Sequence, residues 1–168
     1  MRVYLPMTVA KLHMLRDKGL EPTTPGHAVT PALREWYIEG DADELEYAAL
    51  ADAAQASLRQ VEPAGPLRRV VVAVELPAAW VRPPHDASGG ALDPPSSVNV
   101  TQPVTVEHVV SVHVDDVAAK ADVAAAVQAL PTADAGEDDA QFVVDAVDDH
   151  ELLWYDVTEL DDVLSSPR

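Results

Sequence analysis

The stretch Arg69-Val70-Val71-Val72-Ala73-Val74-Glu75-Leu76 decides the fold class. From Val70 to Val74 it is apolar without a break and β-branched at every position but Ala73. A strand with one wet face alternates polar and apolar residues, so this run reads as a central strand covered on both sides. Val109-Val110-Ser111-Val112-His113-Val114 has the same character, with Asp115 and Asp116 expected to stop it. The two runs are expected to lie next to each other in one sheet. A short strand is expected at Arg2-Val3-Tyr4-Leu5, a weaker one at Val98-Asn99-Val100-Thr101, and a last one at Glu151 to Val157 that points Trp154 and Tyr155 to opposite faces, at least one of them mostly buried.

Between these runs the sequence carries helix signals. Thr8 caps a helix through Val9, Leu12 and Leu15 that Gly19 ends. Leu20 to His27 contains two prolines and a glycine and reads as a loop. Thr30-Pro31 then starts a short helix closed by Gly40. Asp41 and Glu44 have the spacing of a capping box for a longer helix, whose apolar steps are read as Tyr47, Leu50, Ala51, Ala54, Leu58 and Val61. A further helix through Ala119, Val123, Val127 and Leu130 is expected to stop at Pro131, and another piece spans Asp139 to Val147. Leu160, Val163 and Leu164 suit a short terminal helix. The order implies an α+β domain: an antiparallel or mixed sheet with helices mainly on one face, in the ferredoxin-like order β-α-β-β-α-β, with a five-stranded α/β sandwich as the alternative.

A chain of 168 residues fits one domain, 1–168, broken by a Pro/Gly-rich loop at about 82–97 that is expected to be mobile and dispensable. Alanine and valine dominate the apolar 48%, against eight aromatics, so the core is built from small and β-branched side chains. Cysteine is absent, which excludes disulfides, thiolate zinc sites and cysteine nucleophiles, and no apolar run approaches a membrane span. With no signal-peptide pattern at the start, a cytoplasmic location is expected.

The net charge of −18 is uneven. Residues 1–82 hold 11 acids and 9 bases, net −2, whereas residues 83–168 hold 18 acids against Lys120 and Arg168, net −16. Nucleic acids bind through Lys and Arg that displace condensed counterions, so DNA, RNA and anionic membranes are poor partners. A basic protein partner, a polyamine or a divalent cation is attracted instead, and a homodimer is allowed.

Two groups of residues are candidates for chemistry. His27, Thr30, Arg34, Trp36 and Tyr37 put an imidazole, a hydroxyl, a guanidinium and two aromatics close together, a set able to hold a carboxylate or phosphate ligand bidentately through Arg34 with Trp36 stacked on it. The competing reading is that Trp36 and Tyr37 anchor the short helix to the sheet while Arg34 pairs with Glu35 or Asp41. His113, Asp115 and Asp116 end one strand, and Asp149 and His150 precede another; an imidazole and carboxylate metal site would form if the topology joined them. No GxGxxG, Walker A, GxSxG, SxxK or HExxH pattern occurs, and no cofactor is expected.

The segments His27-Ala28-Val29-Thr30-Pro31-Ala32-Leu33-Arg34-Glu35-Trp36-Tyr37, Glu44-Leu45-Glu46-Tyr47-Ala48-Ala49, Ser111-Val112-His113-Val114-Asp115-Asp116 and Asp149-His150-Glu151-Leu152-Leu153-Trp154-Tyr155 resemble an uncharacterised actinobacterial family of small acidic proteins, a domain of unknown function. The resemblance covers nearly the whole chain, the segment from Pro83 to Ser97 being longer than that pattern. It implies no activity, ligand or catalytic residue. The expected role is non-catalytic binding or regulation through a protein or small ligand, the alternative a metal-assisted hydrolase using His113, Asp115 and His150.

Overall fold

The valine run forms β3 (Val70–Glu75), bordered by β1 (Arg2–Met7) on one side and β6 (Val109–Asp115) on the other, both antiparallel to it. The computed structural model describes residues 1–37, 40–84 and 93–165. Within them β2 (Thr24–His27), β4 (Val81–Arg82), β5 (Ser97–Val100) and β7 (Leu152–Asp156) complete one sheet of seven strands, in the order β4-β5-β2-β1-β3-β6-β7. All of its strand pairs are antiparallel. The helices are α1 (Val9–Lys18), α2 (Pro31–Trp36), α3 (Ala42–Leu58), α4 (Lys120–Asp134), α5 (Asp138–Asp145) and α6 (Leu160–Ser165).

The fold is α+β, as expected, but its topology is not the split β-α-β. That motif needs a strand inserted between the two that flank the first helices, whereas β1 and β3 are direct neighbours over six paired residues. The sheet also has seven strands rather than four or five.

Helices cover both faces, not mainly one. Val3, Leu5, Met7, Val70, Val72, Val74, Val112 and Val114 point to one face, where α1 brings Leu12 and Leu15 and α6 brings Leu160 and Val163. Tyr4, Val71 and Ala73 point to the other, against Leu33 of α2 and Leu45, Ala49 and Ala53 of α3. This double cover is why β3 reads as unbroken valine. A third cluster joins Leu58 at the end of α3 to Val123 and Ala126 of α4 and Val144 of α5.

The local departures have local causes. β2 lies in what reads as loop, since four residues containing Pro25 and Gly26 give no strand pattern. Gly26 is required there: a Cβ on it would sit 2.9 Å from the side chains of Leu5 and Val3. α4 runs through Pro131 to Asp134, and the stop is Gly136 at φ 93°. β6 includes Asp115, whose carboxylate has a partner inside the protein. α2 gives way at Tyr37, before Gly40. Trp154 and Tyr155 do face opposite ways, Trp154 beside His113 and 59% exposed, Tyr155 beside Val112 and partly buried.

Of the expected mobile loop, residues 85–92 lie outside the described residues. The part that follows is packed: Ser96 is wholly buried, its carbonyl accepts the Ala28 N–H at 2.8 Å, and the Pro95 carbonyl accepts the Thr30 hydroxyl at 2.5 Å.

Candidate functional site

Two helix starts build the site. The Thr30 side chain caps α2 by accepting the Leu33 N–H at 3.0 Å, and Pro31 supplies a first-turn residue that needs no hydrogen-bond acceptor. Asp41 accepts the Glu44 N–H at 2.9 Å while Glu44 accepts the Asp41 N–H at 3.1 Å, a complete capping box that fixes where α3 begins.

The phase of α3 then determines what faces outward. Its buried stripe is Leu45, Ala49, Ala53 and Ser57, with Ala54 and Leu58. Of the stripe read from the sequence, Ala54, Leu58 and Val61 are buried, whereas Tyr47 and Ala51 are turned away from the core, Tyr47 being 63% exposed. Glu44, Tyr47, Ala48, Ala51 and Asp52 recur at three- and four-residue steps and so line one side of the helix. Opposite them stand Trp36, 73% exposed, and Tyr37. Between α2 and α3 they enclose an open cleft of about 1050 Å³, walled by Trp36, Tyr37 and Tyr47 together with Asp43, Glu44 and Asp52. No Lys or Arg is among its described lining residues. The anchoring role for Trp36 and Tyr37 does not hold, because α2 is held to the fold through Leu33. Arg34 is exposed and forms no ion pair with Glu35 or Asp41 among the described residues.

The other sequence candidates go elsewhere. Thr30 borders a mainly apolar hollow of about 550 Å³ beside Pro94 and Pro95. His27, at the end of β2, is 7% exposed, with Nδ1 2.8 Å from the Ser96 hydroxyl, which donates to Asp52 at 2.5 Å. Burial pulls the His27 imidazole below its ordinary pKa, against the opposing pull of Asp52 and Asp93. It lines a cavity of about 550 Å³ that shares Asp93 and Pro94 with the hollow beside Thr30 and Asp52 with the aromatic cleft. Neither Ser96 nor Asp52 carries a sequence signal: the first sits among prolines, the second among the many acids of the chain.

The four metal candidates are not brought together. Asp115 is fully buried and saturated by Arg69, which offers it the backbone N–H at 2.6 Å, Nε at 3.1 Å and Nη2 at 2.8 Å. Asp116 accepts the Ala118 N–H at 2.8 Å. His113 Nε2 lies 3.1 Å from the Ser111 hydroxyl, and burial, helped by Arg2, lowers its pKa. His150 Nε2 lies 2.6 Å from Asp122. Among the described residues no three His, Asp or Glu side chains are placed to hold a metal ion.

Fold and surface together define an α+β protein on an open antiparallel sheet, with an aromatic and acidic cleft along its longest helix. The chain belongs to a family of unknown function, DUF6912, whose sequence model matches residues 1–164. No curated protein and no solved structure matches the chain. Among the described residues no helix is long and apolar enough to cross a membrane.

Proposed function

We propose that this protein is a non-catalytic binding domain that takes a Lys/Arg-rich segment of another protein into the α2–α3 cleft. The observation that carries the reading is the wall of that cleft: three exposed aromatics set among three carboxylates, in a chain of net charge −18. Aromatic faces attract ammonium and guanidinium groups, with about 0.5–1 kcal/mol per contact at exposed sites. The surrounding acids steer a basic partner in and turn away acidic ones, including a second copy of this chain. The cytoplasmic location and the actinobacterial, acidic family character expected from the sequence suit this reading.

Calorimetric titration with an arginine- and lysine-rich peptide tests it. Micromolar binding that weakens with salt is expected, with roughly two- to fivefold loss in Trp36→Ala and in Tyr47→Ala, from about 0.5–1 kcal/mol per contact. Binding that the Trp36→Ala/Tyr47→Ala pair leaves unchanged would overturn it. The metal-assisted hydrolase finds no comparable support, since His113, Asp115 and His150 each have a protein partner.

A further inference from the structure

Where β3 begins and β6 ends, residues 64–68 and 116–120 meet the edge strand β7 around a cavity of about 410 Å³. Its apolar wall includes Pro66, Leu67, Val117, Leu153 and Tyr155. Leu153 and Tyr155 are two apart on β7 and so share one face of the sheet, and the Tyr155 hydroxyl has no hydrogen-bond partner among the described residues. The charged residues of the wall are Arg68, Lys120 and Asp116, two bases against one acid in a chain of net charge −18.

Both bases keep their charge uncompensated. Arg2, Arg16, Arg59 and Arg69 each stand against a carboxylate. Arg68 instead donates Nε and Nη2 to one neutral acceptor, the Asp115 carbonyl, at 3.2 and 3.0 Å, while the Asp115 carboxylate is taken by Arg69. The guanidinium is thereby fixed along one edge. Its outer edge, where Nη1 and Nη2 present parallel N–H groups, has no partner among the described residues. Such a pair of N–H groups matches the two oxygens of a carboxylate. Lys120 forms no ion pair among the described residues, not even with Asp116 one turn earlier, whose carboxylate accepts the Ala118 N–H. A cation meets two like charges here, and a bare inorganic anion leaves the apolar wall unused.

We propose that this cavity is a binding site for a small organic carboxylate, its acid group on the outer edge of Arg68 and beside Lys120, its aryl or branched alkyl body against Leu67, Val117, Leu153 and Tyr155. The volume lies within the range of small-ligand pockets, about 300–1,000 Å³. The site shares no described lining residue with the aromatic cleft and selects the opposite charge.

The test is titration of the whole ¹⁵N-labelled protein with 3-phenylpropionate, its neutral amide, acetate and inorganic phosphate at constant ionic strength, followed by amide signals and the Arg68 Nε signal. Saturable shifts at Leu67, Arg68, Val117, Leu153 and Tyr155 are expected from 3-phenylpropionate within about 10 mM. The amide lacks the charge, and acetate and phosphate lack the body, so each should bind at least tenfold more weakly. Arg68→Gln should weaken 3-phenylpropionate at least tenfold and Lys120→Gln about threefold, whereas the Trp36→Ala/Tyr47→Ala pair leaves it unchanged. That last comparison separates this site from the peptide cleft, either of which can fail alone. No saturable shift with 3-phenylpropionate, an equal response to the amide, acetate or phosphate, or an affinity that Arg68→Gln leaves unchanged overturns the proposal. If Arg68→Gln fails to fold, Lys120→Gln and the wild-type selectivity decide the matter.

Discussion

Asp115→Ala is expected to be among the most damaging single substitutions in the sheet. Asp115 and Arg69 are 0% and 2% exposed, and the carboxylate takes up the Arg69 backbone N–H, Nε and Nη2. Removing it strands a buried guanidinium whose remaining partners are the His150 carbonyl at 2.7 Å and Asp148 at 3.5 Å. It also orphans the N–H that leads into β3. Breaking a buried pair from one side costs about 3–5 kcal/mol. For a chain of this size that corresponds to roughly 6–20 °C in thermal midpoint, measured by calorimetry with urea unfolding as a check. Arg69→Met with Asp115→Leu removes both charges, and it should recover most of the loss because neither member is left buried alone. A loss below about 1 kcal/mol in Asp115→Ala would refute the reasoning, since the pair would then be solvated enough to dispense with a partner.

His27 and His113 should titrate below the ordinary histidine value of 6.5, seen by NMR, because burial disfavours the charged ring in both. With the folded values lowered, their contribution to stability is complete above about pH 6.5 and is lost as pH falls through the folded values. Tyr4 should ionise only at about 12, read by ultraviolet titration, because it is buried and its hydroxyl donates to Glu46 at 3.0 Å; replacing Glu46 by Gln should lower that midpoint. Sodium chloride at about 1 M should raise the thermal midpoint by several degrees, as the Debye length shrinks from about 10 Å to 3 Å and screens acid repulsion. Exposed pairs such as Arg16–Asp161 and Arg59–Asp134 lose little by the same screening, so a falling midpoint would contradict this reading.

What the sequence discloses tracks how strongly each residue type commits the backbone. Valine runs cannot be mistaken, so β3 and β6 are legible together with their adjacency. Thr8, Thr30-Pro31 and Asp41 with Glu44 cap helices as their types require. β2 is illegible because its membership depends on β5, four of whose residues pair with it, rather than on its own composition. The face of α3 is read rightly at Ala54 and Leu58 and wrongly at Tyr47 and Ala51, because alanine fits either side of a helix and the tyrosine is taken for core. Asp115 reads as a strand stop because the arginine that neutralises it lies 46 positions away. Only folding brings Trp36 and Tyr37 opposite Tyr47, which is why half of the cleft is named in the sequence and half is not.

A basic peptide is proposed to occupy the surface between α2 and α3. The most direct measurement is a ¹H–¹⁵N map of the ¹⁵N-labelled protein titrated with an arginine- and lysine-rich peptide. Saturable shifts should gather at Trp36, Asp43, Glu44, Tyr47, Ala48, Ala51 and Asp52, with the Trp36 indole N–H moving most. Shifts confined to other exposed apolar residues, such as Leu153 and Trp154 on β7 or Phe142 on α5, or no saturable shift at all, would contradict it.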